Sequence, residues 1–395
     1  MPVTQAPLSY DPFQPEVVAD PYPWYRRLQD EAPVYRQDAL DFWVLSRYDD
    51  VLAGARAHAE LSSSEGVVYT RAPLPMMLTM DPPDHTRLRR MVSRDFTPTA
   101  VSQWQPLVER LATEAVDRML AAGTVDAVEV VTAPLPIQVI AEVIGVPAAD
   151  YPQFKAWSDK IVEGLAITSP TDTARADVMI DGILALQQYT AALVGERRRQ
   201  PQDDMLTKLV QPREEGGLLH DGEIFWFVLL LLVAGNETTT NLLGNILLTL
   251  VEQPELWERL RAEPHLVPAA VEESVRRDAP IQGLFRTALT PYVVRGVEIP
   301  AHDRVLLLWG AANRDPRHYD DPDTFRMERN PGDHVGFGSG IHLCLGAHLA
   351  RLETQAVLDQ LVRRVRSLGL GGEPARGTNP ILRGMAKLPL HLTPA

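Results

Sequence analysis

The sequence predicts a mainly α fold with a small β portion, folded as one large domain. From about residue 84 to 265 apolar residues recur at three- and four-residue spacing, as amphipathic helices require. After Arg277 the texture changes to short runs around turns, as strands show. No Gly/Ser-rich linker, repeat or low-complexity tract divides the 395 residues, and 45% hydrophobic residues suffice for a large core.

PYPWYRRLQDEAPVYR reads as a short helix, and DFWVLSRY as the strand after it. VSQWQPLVERLATEAVDRML, AADYPQFKAWSDKIVEGLA and the segment Arg175 to Arg199 read as helices. The longest helix is expected over DGEIFWFVLLLLVAGNETTTNLLGNILLTLVEQ. YVVRGVEIPAHDRVLLLW reads as short strands around turns, LCLGAHLARLETQAVLDQLVRRV as a helix, and KLPLHLTP as a final strand.

The formal net charge of −14 argues against a general nucleic-acid binder, which needs a basic face to neutralise phosphates. One local exception is RLRRMVSR, with four arginines in eight residues. A single cysteine excludes an internal disulfide or a cysteine-rich zinc site, and it fits a reducing compartment. The opening MPVTQAPLSYDPFQPEVVAD has no basic or apolar region of a signal peptide. The longest uninterrupted apolar run, Ile224 to Ala234, has 11 residues against the ~20 of a spanning helix. A cytoplasmic protein without a membrane segment is the expectation.

That cysteine, Cys344, lies in HVGFGSGIHLCLGAHLARLE, behind closely spaced glycines and at the start of a helix. A thiolate there is stabilised by free backbone N–H groups and the helix dipole. Gly338, Gly340 and Gly346 let the backbone approach it closely. The setting suits a nucleophile or a metal ligand better than an inert, buried cysteine, although free cysteines in general are most often buried and inert.

FGSGIHLCLG (Phe337 to Gly346) matches the haem-binding signature of the cytochrome P450 family: Phe, two residues, Gly, three residues, Cys, one residue, Gly. The resemblance implies a mainly α domain enclosing haem b, over residues 20–395, after an N-terminal extension at 1–19. It implies Cys344 as the axial thiolate of the iron, which favours O–O cleavage, with Phe337 packed beside haem and sulfur. AGNETTTN resembles the family's oxygen-activation motif. Ala234 and Gly235 would leave room for dioxygen, Thr238 would hydrogen-bond it, and Glu237 would help relay protons. Without the resemblance, a carboxylate in an apolar helix is costly unless paired or hydrated, and a threonine can bond back to the carbonyl four residues earlier.

Glu273 and Arg276 are three apart on one helical face. Such pairs are usually surface decoration. Here they match the family's Glu-x-x-Arg motif, which implies a buried pair completed by Arg329 and a role in folding and haem retention. ANRDP (Ala312 to Pro316) is another shared landmark. Haem brings two propionates, so cations or donors should converge on them. His85, Arg89, Arg286 and His342 stand where family members place such ligands.

The resemblance further implies O2 as co-substrate and electrons from NAD(P)H through a separate partner, a ferredoxin with its reductase or a flavodoxin. Arg87, Arg90 and Arg94 are candidates for docking that donor; a solvated helix face explains them equally well. By family analogy the substrate pocket draws on residues 62–80, 161–167, 281–285 and the turn near Ile381, with Val68, Met77, Val233, Leu284 and Phe285 as wall candidates. Arg71 is a candidate anchor for a carboxylate. The mostly apolar lining points to a small lipophilic substrate, aromatic ones included, that is hydroxylated or oxidatively dealkylated. A coupling oxidase or peroxygenase is the alternative with the same haem. A non-catalytic haem sensor is the alternative from another class, and a cofactor-free nucleophilic cysteine is the weakest.

Overall fold

The computed structural model describes residues 8–164, 173–212 and 218–395. At its centre lies the core helix, Asp221–Glu252, opened by a capping box in which the Glu223 side chain accepts from the His220 N–H at 2.9 Å. This helix is apolar on nearly every side, so only burial all round satisfies it. Helices Pro134–Ile144, Tyr151–Gly164, Thr173–Arg199, Val267–Arg277 and Ala347–Arg364 pack against it. Gln105–Ala122 closes the layer against the first and last of these.

The expected helices are present, with shifted ends. The one expected from Val101 begins with a tight turn at Ser102–Trp104, and α-helix starts at Gln105, with Pro106 in its first turn, where no N–H is needed. The helix expected to begin beside Cys344 starts three residues later, at Ala347. The last two residues of the helix expected to end at Ala166 lie outside the described residues.

The β portion stands to one side. Five strands run in the order Val34–Gln37, Phe42–Leu45, Arg304–Leu307, Leu284–Ala288 and Leu61–Ser62. The Phe42–Leu45 and Arg304–Leu307 pair is parallel, and the other pairs are antiparallel. One face packs on Tyr48, Val51 and Ala55 of the helix Tyr48–Arg56. The other packs on Tyr10, Val17, Tyr25 and Leu28. Residues 8–19 thus lie against the body of the fold. Tyr10 is buried, the Gln37 amide donates to its carbonyl at 2.6 Å, and Arg383 donates to the carbonyls of Val18 and Ala19. A second sheet joins Thr124–Asp126, Pro389–Pro394 and Val365–Leu370.

Thr173–Arg199 and Asp221–Glu252 are long and apolar enough to cross a membrane by length and composition, which a count of uninterrupted apolar residues does not register. The second is mostly buried inside the protein, as a core helix is.

Candidate active site

Between Leu231 and Val251 the core helix is buried at every residue except Val233, Ala234, Gly235, Glu237 and Thr238. The opening is one turn wide and coincides with AGNET. The Thr238 hydroxyl donates to the Ala234 carbonyl at 2.6 Å, the back-bond open to a threonine in mid-helix. The helix nevertheless continues unbroken. Burial pushes the Glu237 carboxyl above its ordinary range; Asp159 adds to this and Lys155 opposes it. Both belong to the helix Tyr151–Gly164, where Lys155 and Asp159 pair at 2.6 Å. Glu237 therefore holds a proton at a higher pH than a free glutamate does.

Cys344 sits in a loop whose shape the glycines permit. Gly338 and Gly340 have φ of 72° and 70°, a region that disfavours a Cβ. At Gly340 a Cβ would also stand 2.6 Å from the Ala55 carbonyl oxygen. The Cys344 N–H donates to the Phe337 carbonyl at 2.9 Å, closing the loop. The cysteine is accessible although deep in the protein. Burial pushes its thiol up, against the Gly346 N–H and the charges of Arg89 and Arg351, which favour the thiolate.

Around the loop stand four donors without acids. His85 is buried and neither ring nitrogen has a partner; its ring meets that of His342 edge-on at 4.5 Å. His342 Nε2 is also without a partner. Burial, then the charge of Arg286 and the neighbouring His85 and Arg89, pull the His342 imidazole down to about 2. Arg286 is 3% exposed and donates only to the carbonyl of Phe285, at 2.8 Å; burial lowers its guanidinium to about 10, and the charge of Asp81, which forms no ion pair with it, opposes this. Arg89 donates to the Leu343 carbonyl at 2.6 Å, tying the helix Asp84–Ser93 to the cysteine loop. Among the described residues none of the four makes an ion pair.

Glu273 and Arg276 are both 0% exposed at the side chain and joined by two bonds of 2.8 Å. Arg329 reaches Glu273 Oε1 at 3.2 Å, and the Arg326 N–H donates to the same oxygen at 3.0 Å. The spare donors of Arg276 go to the carbonyls of Asn313 and Pro322. Asn313, from ANRDP, also accepts the Val335 N–H at 2.8 Å, so this network borders the cysteine loop.

Several expectations are corrected. Strand alternation turns Phe285 away from the face shared by Leu284 and Arg286; it packs on Phe42 and Tyr69. Met77 is buried in the main core, whereas Val68, Val233 and Leu284 stay partly accessible. Arg71 is paired with Glu65, and Arg87 with Glu223 at the start of the core helix, so neither is a spare cation. Arg90 and Arg94 are exposed. Of the pocket segment 161–167, residues 165–167 lie outside the described residues.

Sequence reading missed three features. Arg304, buried, donates to the carbonyls of Gly66 and Val68 and to the Thr287 hydroxyl, pinning the loop before Tyr69. Glu353 is buried with one carboxylate oxygen unpartnered, and burial pushes it well up. Glu272, His334 and Arg351 form a cluster beside Phe337. Nothing local announces these partnerships; only the adjacent glutamates at 272 and 273, which must face different ways on a helix, gave a hint.

The fold and this site define a helical protein that places a cysteine sulfur beside two histidines and two arginines that make no ion pair. The family model for cytochrome P450 matches residues 179–368. Beta-dihydromenaquinone-9 omega-hydroxylase of Mycobacterium tuberculosis is 41% identical over 395 residues, covering 98% of this chain and 79% of that protein. The structure of a cytochrome P450 from Chondromyces apiculatus superposes with a TM-score of 0.89 at 34% identity, covering 98% of this chain and 99% of that one. One from Bacillus megaterium in complex with corticosterone gives 0.86 at 33% identity, covering 95% and 99%. This chain belongs to the cytochrome P450 family. It is a haem monooxygenase, using O2 and electrons that derive from NAD(P)H.

The residues present fit haem. Three unpartnered ring nitrogens of His85 and His342 and a buried arginine with no ion pair suit its propionates, and at Gly346 a Cβ would meet no protein atom within 4 Å.

Proposed function

We propose that the chain is a cytoplasmic haem-thiolate monooxygenase that inserts one oxygen atom into a lipophilic organic substrate, with haem b held by Cys344. The observation that carries this is the cysteine loop ringed by donors that lack acids. His85, Arg89, Arg286 and His342 hold the two propionates, and Cys344 Sγ binds the iron. When bound, haem supplies an iron that takes up dioxygen and, with two electrons and two protons, yields hydroxylated product and water.

The protein's part is to place substrate and deliver protons. Thr238 Oγ1 lies at the opening between Leu231 and Val251 of the core helix and presents a hydroxyl there. Glu237, raised by burial, carries a proton from the side of Lys155 and Asp159 toward it. Gly235, whose Cβ would meet only Ile140 at 3.5 Å, leaves the helix surface low. Val68, Val233 and Leu284 exclude water from the substrate side.

Relatives support a long or polycyclic lipophilic substrate: one is named for acting at the omega end of a dihydromenaquinone, another was crystallised with corticosterone. A ferredoxin with its reductase, or a flavodoxin, supplies the electrons. Arg90 is an exposed cation for docking it, and Arg90→Glu slows reduction in a salt-dependent way.

The test is the reduced, carbon-monoxide-bound spectrum of the purified protein. A strongly red-shifted Soret band supports the thiolate, and a band typical of histidine ligation opposes it. Thr238→Ala is expected to leave that band in place while NADH use runs ahead of product. Unchanged coupling removes the proton-delivery role.

A further inference from the structure

Behind the cysteine loop lies a charge cluster that oxygen insertion does not use. The Glu272 carboxylate takes Arg351 Nε at 2.5 Å and Nη2 at 2.9 Å, one to each oxygen. Its Oε2 also lies 3.1 Å from His334 Nε2. The Gly336 N–H points at His334 Nδ1 at 3.2 Å, so Nδ1 accepts and the ring proton sits on Nε2, facing Glu272. The His334 side chain is 3% exposed, and both nitrogens are used. Burial raises the Glu272 carboxyl, but the bonds from Arg351 and His334 outweigh it and hold it at about 2.

The cluster grips the residue that closes the cysteine loop. The Arg351 guanidinium lies 4.5 Å from the Phe337 ring centre, a cation on an aromatic face. The His334 ring lies 5.6 Å from the same ring. The Phe337 carbonyl accepts the Cys344 N–H at 2.9 Å. Phe337 is therefore fixed between His334 and Arg351, and through its carbonyl so is the backbone at Cys344. Arg351 brings a positive charge that favours the Cys344 thiolate.

We propose that Glu272, His334 and Arg351 are positioning residues that set how readily the cysteine-bound haem iron accepts an electron: Arg351 is the cation behind the sulfur, and Glu272 and His334 hold it in place and attenuate its charge. The proposal rests on the haem-thiolate reading. Reducing ferric to ferrous iron adds one electron and no proton at these residues, so the centre becomes one unit more negative. A nearby cation favours that change, and a nearby carboxylate opposes it.

The experiment is an equilibrium reductive titration of the haem-loaded protein without any electron donor protein, on wild type, Arg351→Met, Arg351→Lys and Glu272→Gln. Arg351→Met is expected to shift the equilibrium toward ferric about tenfold, ~59 mV for one electron. Glu272→Gln is expected to shift it the opposite way, and Arg351→Lys to stay nearest wild type. A cluster that merely props the loop would move the Met and Gln variants in the same direction, and that result overturns the proposal. So does a titration in which all variants coincide with wild type. The red-shifted carbon-monoxide band is recorded beside each titration. Its absence from wild type sinks the haem-thiolate reading, a failure distinct from that of this proposal. If only Arg351→Met loses the band, Glu272→Gln decides: a shift toward ferrous supports the proposal, and no shift or the reverse overturns it.

Discussion

Arg276 and Arg286 are both buried arginines, 0% and 3% exposed, placed within ten residues of each other. Arg276 faces a carboxylate with two bonds of 2.8 Å and spends its remaining donors on two carbonyls. Arg286 makes no ion pair: it acts on His342, feels the charge of Asp81 only from a distance, and donates only to the carbonyl of the residue before it. The first charge is satisfied by the fold. The second, costly to bury without a close partner, is left open for a bound anion to answer. Burial by itself does not separate a structural charge from a functional one, whereas the presence or absence of an acid does.

The largest effect should come from breaking the satisfied network. Glu273→Ala leaves Arg276 buried and unpaired, and is expected to cost ~3–5 kcal/mol in denaturant unfolding, with loss of haem. A cost below about 1 kcal/mol would place the pair with ordinary surface bridges.

Acid acts next on the paired charges. The Glu272 carboxyl is held at about 2 in the folded protein against an ordinary 4.5. Below its ordinary value the unfolded chain takes up a proton that the folded one refuses, so this contribution is complete above about pH 4.5 and fades as pH falls toward 2. In Glu272→Gln the slope of stability against pH in that window should flatten. An identical slope would show that the pair is not coupled to folding.

Arg286→Met sharpens the comparison through its sign. With burial outweighing the charge of Asp81 and no ion pair at Arg286, the apoprotein should be as stable as wild type or more so, while the haem-loaded protein releases haem faster. Equal destabilisation of both forms would mean that Arg286 serves the fold, as Arg276 does.

The smallest effect belongs to Arg304, a third buried arginine, lowered to about 9 by burial and by Arg71 and Arg286, and held by carbonyls and a hydroxyl alone. Arg304→Met is expected to stay within about 1 kcal/mol of wild type but to change which lipophilic ligands shift the haem spin state, because the loop bearing Val68 loses its pin. An unchanged ligand profile would separate that loop from substrate choice.

The helices, the strands, the cysteine loop and the register of Glu273 with Arg276 were legible in the sequence, because each depends on spacing within one segment. Three- and four-residue periodicity fixes a helix face, and glycines at 338 and 340 announce a backbone that no side chain tolerates. That Phe285 packs on Phe42 and Tyr69 was not legible, because alternation says only that neighbours face opposite ways; which way each faces was decided by the partner strand at Arg304–Leu307. The pairing of Arg87 was not legible because Glu223, its partner, is 136 residues distant. Glu272 and Arg351 are 79 residues apart. The sequence by itself determined which segments fold and where a sulfur is offered. Only the tertiary structure decided which charges are answered, since an ion pair is a contact in space, and its energy depends on a burial that no local spacing encodes.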